Sequence, residues 1–291
     1  MVGLPGFEPG SRAPEALKSV ISLNWLRIRD DFLKWLESNN YSREYAKRIV
    51  SELDKRVSVI STPMDVVNLF RGLTCGQQHN LDRAVRAFFN FHQEVLGVDE
   101  GFLNALRRAI PREVEGVDLT IPSEDEVVSS LRRLRRAPLK YQGFYSLLLD
   151  SGLRITEAAR LINNFQKPEK VNGFYRCKLG YFRGSKCAYF AYFTIHTFNL
   201  IRKINCGFRG DSASHYFAKR GYVKCKHLRK FAFDKMIELG IPESVADFIQ
   251  GRVPQRIGAK HYMALARQAD QKYGRYAEYL TELRRKAGLI A

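Results

Sequence analysis

The residues best able to do chemistry together lie between Lys226 and Tyr262. Lys226 and Arg229 stand three apart in Lys-His-Leu-Arg, a spacing that puts both on one helical face, while Leu228, Phe231, Ala232, Met236 and Leu239 form an apolar face. Gly240 ends that helix and Pro242 opens a second, which packs through Val245, Phe248 and Ile249 and stops at Gly251. Arg252 follows at once, Val253-Pro254 breaks the chain, and a third helical stretch delivers Tyr262. Cations near a phenol lower the cost of the phenolate and bind the nonbridging oxygens of a phosphate, so the set suits attack on phosphorus. Each residue alone also has a structural use: a tyrosine on an amphipathic helix is usually core, and an arginine at a helix end often caps or pairs.

Upstream, Ser151-Gly-Leu-Arg154-Ile-Thr-Glu157 places another arginine at the start of a helix. Together, Arg154, Lys226-His-Leu-Arg229, Gln-Gly-Arg252 and Ala-Lys-His-Tyr262 resemble, in order and spacing, the boxes of the tyrosine recombinases, or phage-type integrases. That family's pattern is Arg, Lys, His/Lys-x-x-Arg, His/Trp/Arg and Tyr. Lys226 and Arg252 stand where many bacterial members carry histidine, which is similar to the integrases of archaeal viruses and plasmids.

The resemblance implies a role for each position. Tyr262 would be the nucleophile, Arg154 and Arg229 would fork onto the scissile phosphate, and Lys226 and Arg252 would complete the charge cage. Lys186 would protonate the departing 5′-hydroxyl, although Arg183 and Lys178 on the same hairpin compete for that part. His227 and His261 are left out, because Lys226 and Tyr262 fit the spacing better. Glu157 reads as a partner that orients Arg154. The product would be a 3′-phosphotyrosyl link that conserves the bond energy, so no cofactor is expected, neither metal nor ATP.

Composition agrees with a polyanionic partner. The 291 residues carry 48 Lys and Arg against 30 Asp and Glu, a net charge of +18, with an isoelectric point near 9.8. A hydrophobic content of 45% argues against disorder, and no apolar run is long enough for a signal peptide or a membrane span. A cytoplasmic protein acting on the host cell's DNA is expected, with no membrane partner. The five cysteines are scattered without a Cys-x-x-Cys pair, so all are read as reduced thiols.

Along the chain, residues 1–15 are a Gly- and Pro-rich tail. Its Pro-Gly-Phe-Glu-Pro-Gly can be encoded by a string resembling a tRNA T-arm, as expected where an attachment site lies within a tRNA gene. Residues 16–110 read as helical throughout, a DNA-binding domain that resembles the family's core-binding domain, with Arg83 and Arg86 outward and Phe88, Phe89 and Phe91 in its packing. Residues 111–122 read as a linker, and Ser123-x-x-Glu126 as a capping box. The catalytic domain is expected over 123–267. It includes the basic run Arg132, Arg133, Arg135 and Arg136, expected on the DNA backbone, and a hairpin over Phe174 to Phe193 with its turn at Arg183-Gly184-Ser185. Residues 268–291 would form a C-terminal helix exchangeable between subunits.

The expected fold class is therefore mainly α with a small β-hairpin or sheet, a helical core-binding domain preceding a tyrosine-recombinase catalytic domain. The expected function is a site-specific DNA recombinase that integrates or excises a mobile element. It would act on double-stranded DNA attachment sites as a homo-tetramer, and be a monomer or weak oligomer when free. An Xer-like dimer resolvase and a non-catalytic basic DNA-binding accessory protein are the alternatives. A type IB topoisomerase shares the active-site logic but normally has clamp segments not seen here.

Overall fold

The computed structural model describes residues 21–112, 116, 118–183, 186–205, 207–252 and 262–290, without the side chains of 181–183, 186, 187, 262 and 263. The chain divides into two compact units, 1–117 and 118–291. The tail over 1–15, the turn residues Gly184 and Ser185, the Val253-Pro254 break and His261 lie outside the described residues.

Unit 1 is built from α1 (Trp25–Ser38), α2 (Arg43–Arg56), α3 (Pro63–Phe70), α4 (Cys75–Glu94) and α5 (Glu100–Arg108). Side-chain caps start most of these helices by satisfying free N–H groups of the first turn. Asn24, Ser42 and Asp99 each accept one, and Thr62 and Asp65 make a reciprocal capping box. Trp25, Phe32, Phe88 and Phe91 meet edge to face in the core. The Trp25 indole N–H donates to Asp54, which also pairs with Arg29. One expectation is corrected. This half is not helical throughout, because β1 (Leu23–Asn24) and β2 (Val59–Ile60) pair antiparallel, Leu23 opposite Ile60. Each is too short to show a period of two, and the pairing joins residues far apart in sequence.

Unit 2 opens with α6 (Glu124–Leu134), started by the expected Ser123–Glu126 box. The next helix, α7 (Leu139–Ser151), is buried continuously from Gly143 to Ser151, which makes it the central rod of the unit. Gly152 ends it with φ +58°, a conformation open to glycine at little cost, and α8 (Ile155–Asn163) follows. The expected hairpin is present as β4 (Phe174–Arg183) and β5 (Lys186–Thr194), and a short β3 (Glu169–Val171) adds a third antiparallel strand at its edge.

After α9 (Ile195–Ile201) and α10 (Gly210–Lys219) come α11 (Cys225–Glu238), α12 (Glu243–Ile249) and α13 (Tyr262–Lys286). The last is one helix of 25 residues, so the expected boundary between 267 and 268 falls inside it. Tyr273, Tyr276, Leu280 and Leu283 bury one face in the unit's own core. The hydroxyls of Tyr273 and Tyr276 donate to the carbonyls of Asp150 and Leu149 at the end of α7. Beside them Arg284 and Asp150, both fully buried, form an ion pair, and Arg284 also donates to Thr194 and Thr197. No helix of the described residues is long and apolar enough to cross a membrane.

Candidate active site

Two turns and one helix face bring three arginines together. Arg154 precedes the first turn of α8, where its backbone N–H donates to Glu157 Oε2 (2.8 Å) and its Nη1 to Glu157 Oε1 (2.8 Å). Glu157 is buried, so the carboxylate fixes one edge of the guanidinium and leaves the rest available. The same Nη1 donates to the Gly251 carbonyl at 3.0 Å. Arg229, one turn into α11, donates through Nη1 to the carbonyls of Gly152 (2.6 Å) and Gln250 (2.7 Å). Arg252 leaves the turn after α12, pairs with Asp247 at 3.2 Å and lies over the Phe233 ring at 4.6 Å.

The electrostatics of this cluster are unfavourable as they stand. Burial, and then repulsion from Arg154 and Arg252, push the Arg229 guanidinium down to about 9, with Glu157 and Asp247 only partly offsetting them. Burial also raises the Asp247 carboxyl. Arg229 Nη2 is buried with no hydrogen-bond partner in the protein. A guanidinium short of counter-charge, with one buried N–H group unpaired, is a position where added negative charge lowers the energy.

The other expected site residues are placed differently. Lys226 is exposed and pairs with Asp118 at 2.8 Å, and the same carboxylate takes His227 (3.2 Å) and Lys230 (3.4 Å). Lys226 first, then the Thr120 N–H, holds the Asp118 carboxyl well below the usual carboxylate range. Lys186 is the first residue of β5 and Tyr262 the first of α13, and their side chains lie outside the described residues. Lys178 lies on β4, just before the β-bulge that precedes Tyr181.

Of the residues expected on DNA, Arg83 and Arg86 are exposed on α4, and Arg86 pairs with Asp82 at 2.7 Å. Arg132, Arg133, Arg135 and Arg136 line one surface depression. Two of them also cap helices: Arg132 donates to the Lys286 carbonyl at 3.2 Å and Arg133 to the Gly221 carbonyl at 2.8 Å. Cys75, Cys177 and Cys225 are free thiols, and burial pushes Cys225 up to about 12. Among the described residues no three His, Cys, Asp or Glu side chains come together as a metal site.

Sequence reasoning missed Gln250, whose side chain is fully buried between the arginines, and the Asp150–Arg284 pair. Neither left a signal: Gln250 was visible only as the neighbour of Gly251, and Asp150 and Arg284 are 134 positions apart.

The sequence model of the archaeal phage integrase family matches residues 119–279, more than half of the chain. Among solved structures, a lambda integrase dimer bound to a COC′ core site is similar over 84% of this chain and 79% of that one, with a TM-score of 0.59 and 12% identity. A lambda integrase tetramer bound to a Holliday junction is similar over 84% of each chain, with a TM-score of 0.57 and 12% identity. At that identity the likeness is one of fold. No curated protein matches the chain. The family match covers Arg154, Arg229, Arg252 and Tyr262, and the chain belongs to the archaeal phage integrase family, which makes it a site-specific recombinase of the tyrosine type.

Proposed function

We propose that this recombinase cleaves DNA by attack of the Tyr262 phenol on a phosphate held by Arg154, Arg229 and Arg252. In-line displacement by the phenolate, its proton released to solvent, forms the tyrosine O–P bond, breaks the P–O5′ bond and leaves a 3′-phosphotyrosyl link. The proton needed by the departing 5′-oxygen comes from Lys186, brought by the β4–β5 hairpin, while Lys226 adds positive charge once DNA displaces Asp118. Religation is the same step reversed, with a 5′-hydroxyl of a second strand attacking the link, so one site cuts and rejoins. The observation that carries this reading is the shortage of negative charge around Arg229, whose unpartnered Nη2 lies in a cluster of three guanidinium groups.

The partner in this reading is double-stranded DNA carrying an attachment site, one that overlaps a tRNA gene, in the cytoplasm of the host cell. The two lambda structures hold a core site and a Holliday junction, and the same assembly, a homo-tetramer on DNA, is proposed here. The basic run from Arg132 to Arg136 and the exposed Arg83 and Arg86 supply backbone contacts. An exchange of residues 268–291 between subunits would replace the buried Asp150–Arg284 pair within a subunit by the same pair between subunits.

A nicked suicide duplex tests the chemistry, because loss of the short 5′ fragment traps the covalent complex. The wild type is expected to accumulate adduct, while Tyr262→Phe binds the same DNA with no adduct. Adduct in the phenylalanine variant removes Tyr262 as nucleophile. DNA binding without adduct in either protein leaves a basic accessory protein.

A further inference from the structure

We infer that Gln250 is a positioning residue that sets Arg229 against Arg154, so that both guanidinium groups meet one phosphate. The inference rests on the reading of the arginine cluster given above.

Gln250 ends α12 and is fully buried. Its side-chain Nε2 donates to the Arg229 carbonyl at 2.8 Å, while its own carbonyl accepts Arg229 Nη1 at 2.7 Å. The same residue therefore holds Arg229 by its main chain and by its guanidinium. The side chain also lies flat on Gly152: a Cβ added there would sit 2.4 Å from Gln250 Nε2 and 2.9 Å from its Cγ and Cδ. Gly152 is two residues before Arg154, and its carbonyl is the other acceptor of Arg229 Nη1. Gln250 thus fills the space between the two arginine-bearing segments and fixes their separation. The following residue, Gly251, accepts Arg154 Nη1 through its carbonyl, and a Cβ on it would fall 2.7 Å from Ala188 Cβ on β5. One turn therefore touches both arginine segments and the strand that begins at Lys186.

Packing alone does not account for a glutamine here. Its Oε1 is buried without a partner, and an unsatisfied buried acceptor carries a desolvation cost that an apolar side chain of similar volume would avoid. What the amide adds is a directional hydrogen bond to the main chain of Arg229. A guanidinium can stay in its site yet be misplaced by an ångström without that bond, and misplacement of this order costs up to about a hundredfold in rate.

Gln250→Met keeps the length and removes the amide, and Gln250→Glu keeps the shape but cannot donate to the Arg229 carbonyl when ionised. Single-turnover cleavage of the nicked suicide duplex at saturating DNA is measured beside the dissociation constant and the melting temperature. Tyr262→Phe and Arg229→Lys serve as controls. The expected result is a fall of at least tenfold in adduct-forming rate in both variants, with DNA affinity within about threefold of wild type and melting unchanged or raised in Gln250→Met. Wild-type cleavage rates in Gln250→Met overturn the inference. So does a loss of rate that tracks equal losses of affinity and melting temperature, since that marks a packing residue. Adduct in Tyr262→Phe refutes the underlying reading instead, and an inactive Tyr262→Phe beside an unimpaired Gln250→Met refutes only the role of Gln250.

Discussion

Asp150→Asn should be among the most damaging substitutions in unit 2, although it only exchanges a carboxylate oxygen for an amide nitrogen. Asp150 and Arg284 are fully buried, and Asp150 Oδ2 also accepts the Thr194 N–H (2.8 Å) and hydroxyl (2.7 Å). The asparagine keeps the size but strands the Arg284 cation in the core. Stranding one member of a buried pair costs about 3–5 kcal/mol. In a unit of this size, about 2–4 °C of melting temperature are lost per kcal/mol, so a fall of roughly 6–20 °C is expected. Arg284→Met should cost less, because Asp150 still receives both Thr194 donors. The double variant should recover at least about 1 kcal/mol relative to the sum of the single losses. Thermal and denaturant melts of the four proteins, followed by circular dichroism, complete the cycle. A loss below about 2 °C in Asp150→Asn, or strict additivity in the double variant, would refute the claim that this pair anchors α13.

Three further outcomes follow from the geometry. Burial, and then the nearby Arg284 charge, push His196 down to about 4, so the folded protein refuses a proton that the unfolded chain accepts near pH 6.5. Its contribution is complete above that value and is lost as pH falls toward 4. The drop in melting temperature between pH 7 and pH 5 should therefore shrink in His196→Asn, and an unchanged drop would contradict the assignment. Sulfate should stabilise the wild type by neutralising the arginine cluster, by about 1.4 kcal/mol at tenfold excess over its dissociation constant, read as a higher melting temperature. Arg229→Lys, which lacks the planar fork, should lose most of that response and about a hundredfold of adduct-forming rate; an equal sulfate response in both proteins would argue against Arg229 as an anion ligand. Gly152→Ala combines a left-handed backbone, φ +58°, with a Cβ 2.4 Å from Gln250. A loss of about 1–2 kcal/mol from the backbone alone should appear in denaturant melts together with reduced cleavage, and wild-type values in both would show that the turn can relax.

The arginine cluster was legible because its residues announce themselves locally. Arg154 follows a glycine that ends a helix, Arg229 sits three residues from Lys226 on an amphipathic helix, and Arg252 follows a second glycine. The β4–β5 hairpin showed through its change of period, and the Phe88, Phe89 and Phe91 group is buried as the helical stripe indicated. Illegible were the features made by tertiary contact. Lys226 shares a face of α11 with Arg229, yet spacing cannot say that Asp118 would hold it while Arg229 turns to Gly152 and Gln250. The strands β1 and β3 have two and three residues and carry no periodic signal. The start of α13 was obscured by the charged, glycine-containing stretch before Tyr262, so one 25-residue helix was read as two segments.

The account stands on attack by one phenolic oxygen, and the chemical identity of the protein–DNA link tests that most directly. Wild-type protein is trapped on the nicked duplex in the presence of EDTA, digested with nuclease and protease, and the phosphorylated peptide is sequenced by mass spectrometry. The expected result is a nucleotide carried on Tyr262 through its 3′-phosphate. A nucleotide on any other residue, or attachment through a 5′-phosphate, would contradict the central claim.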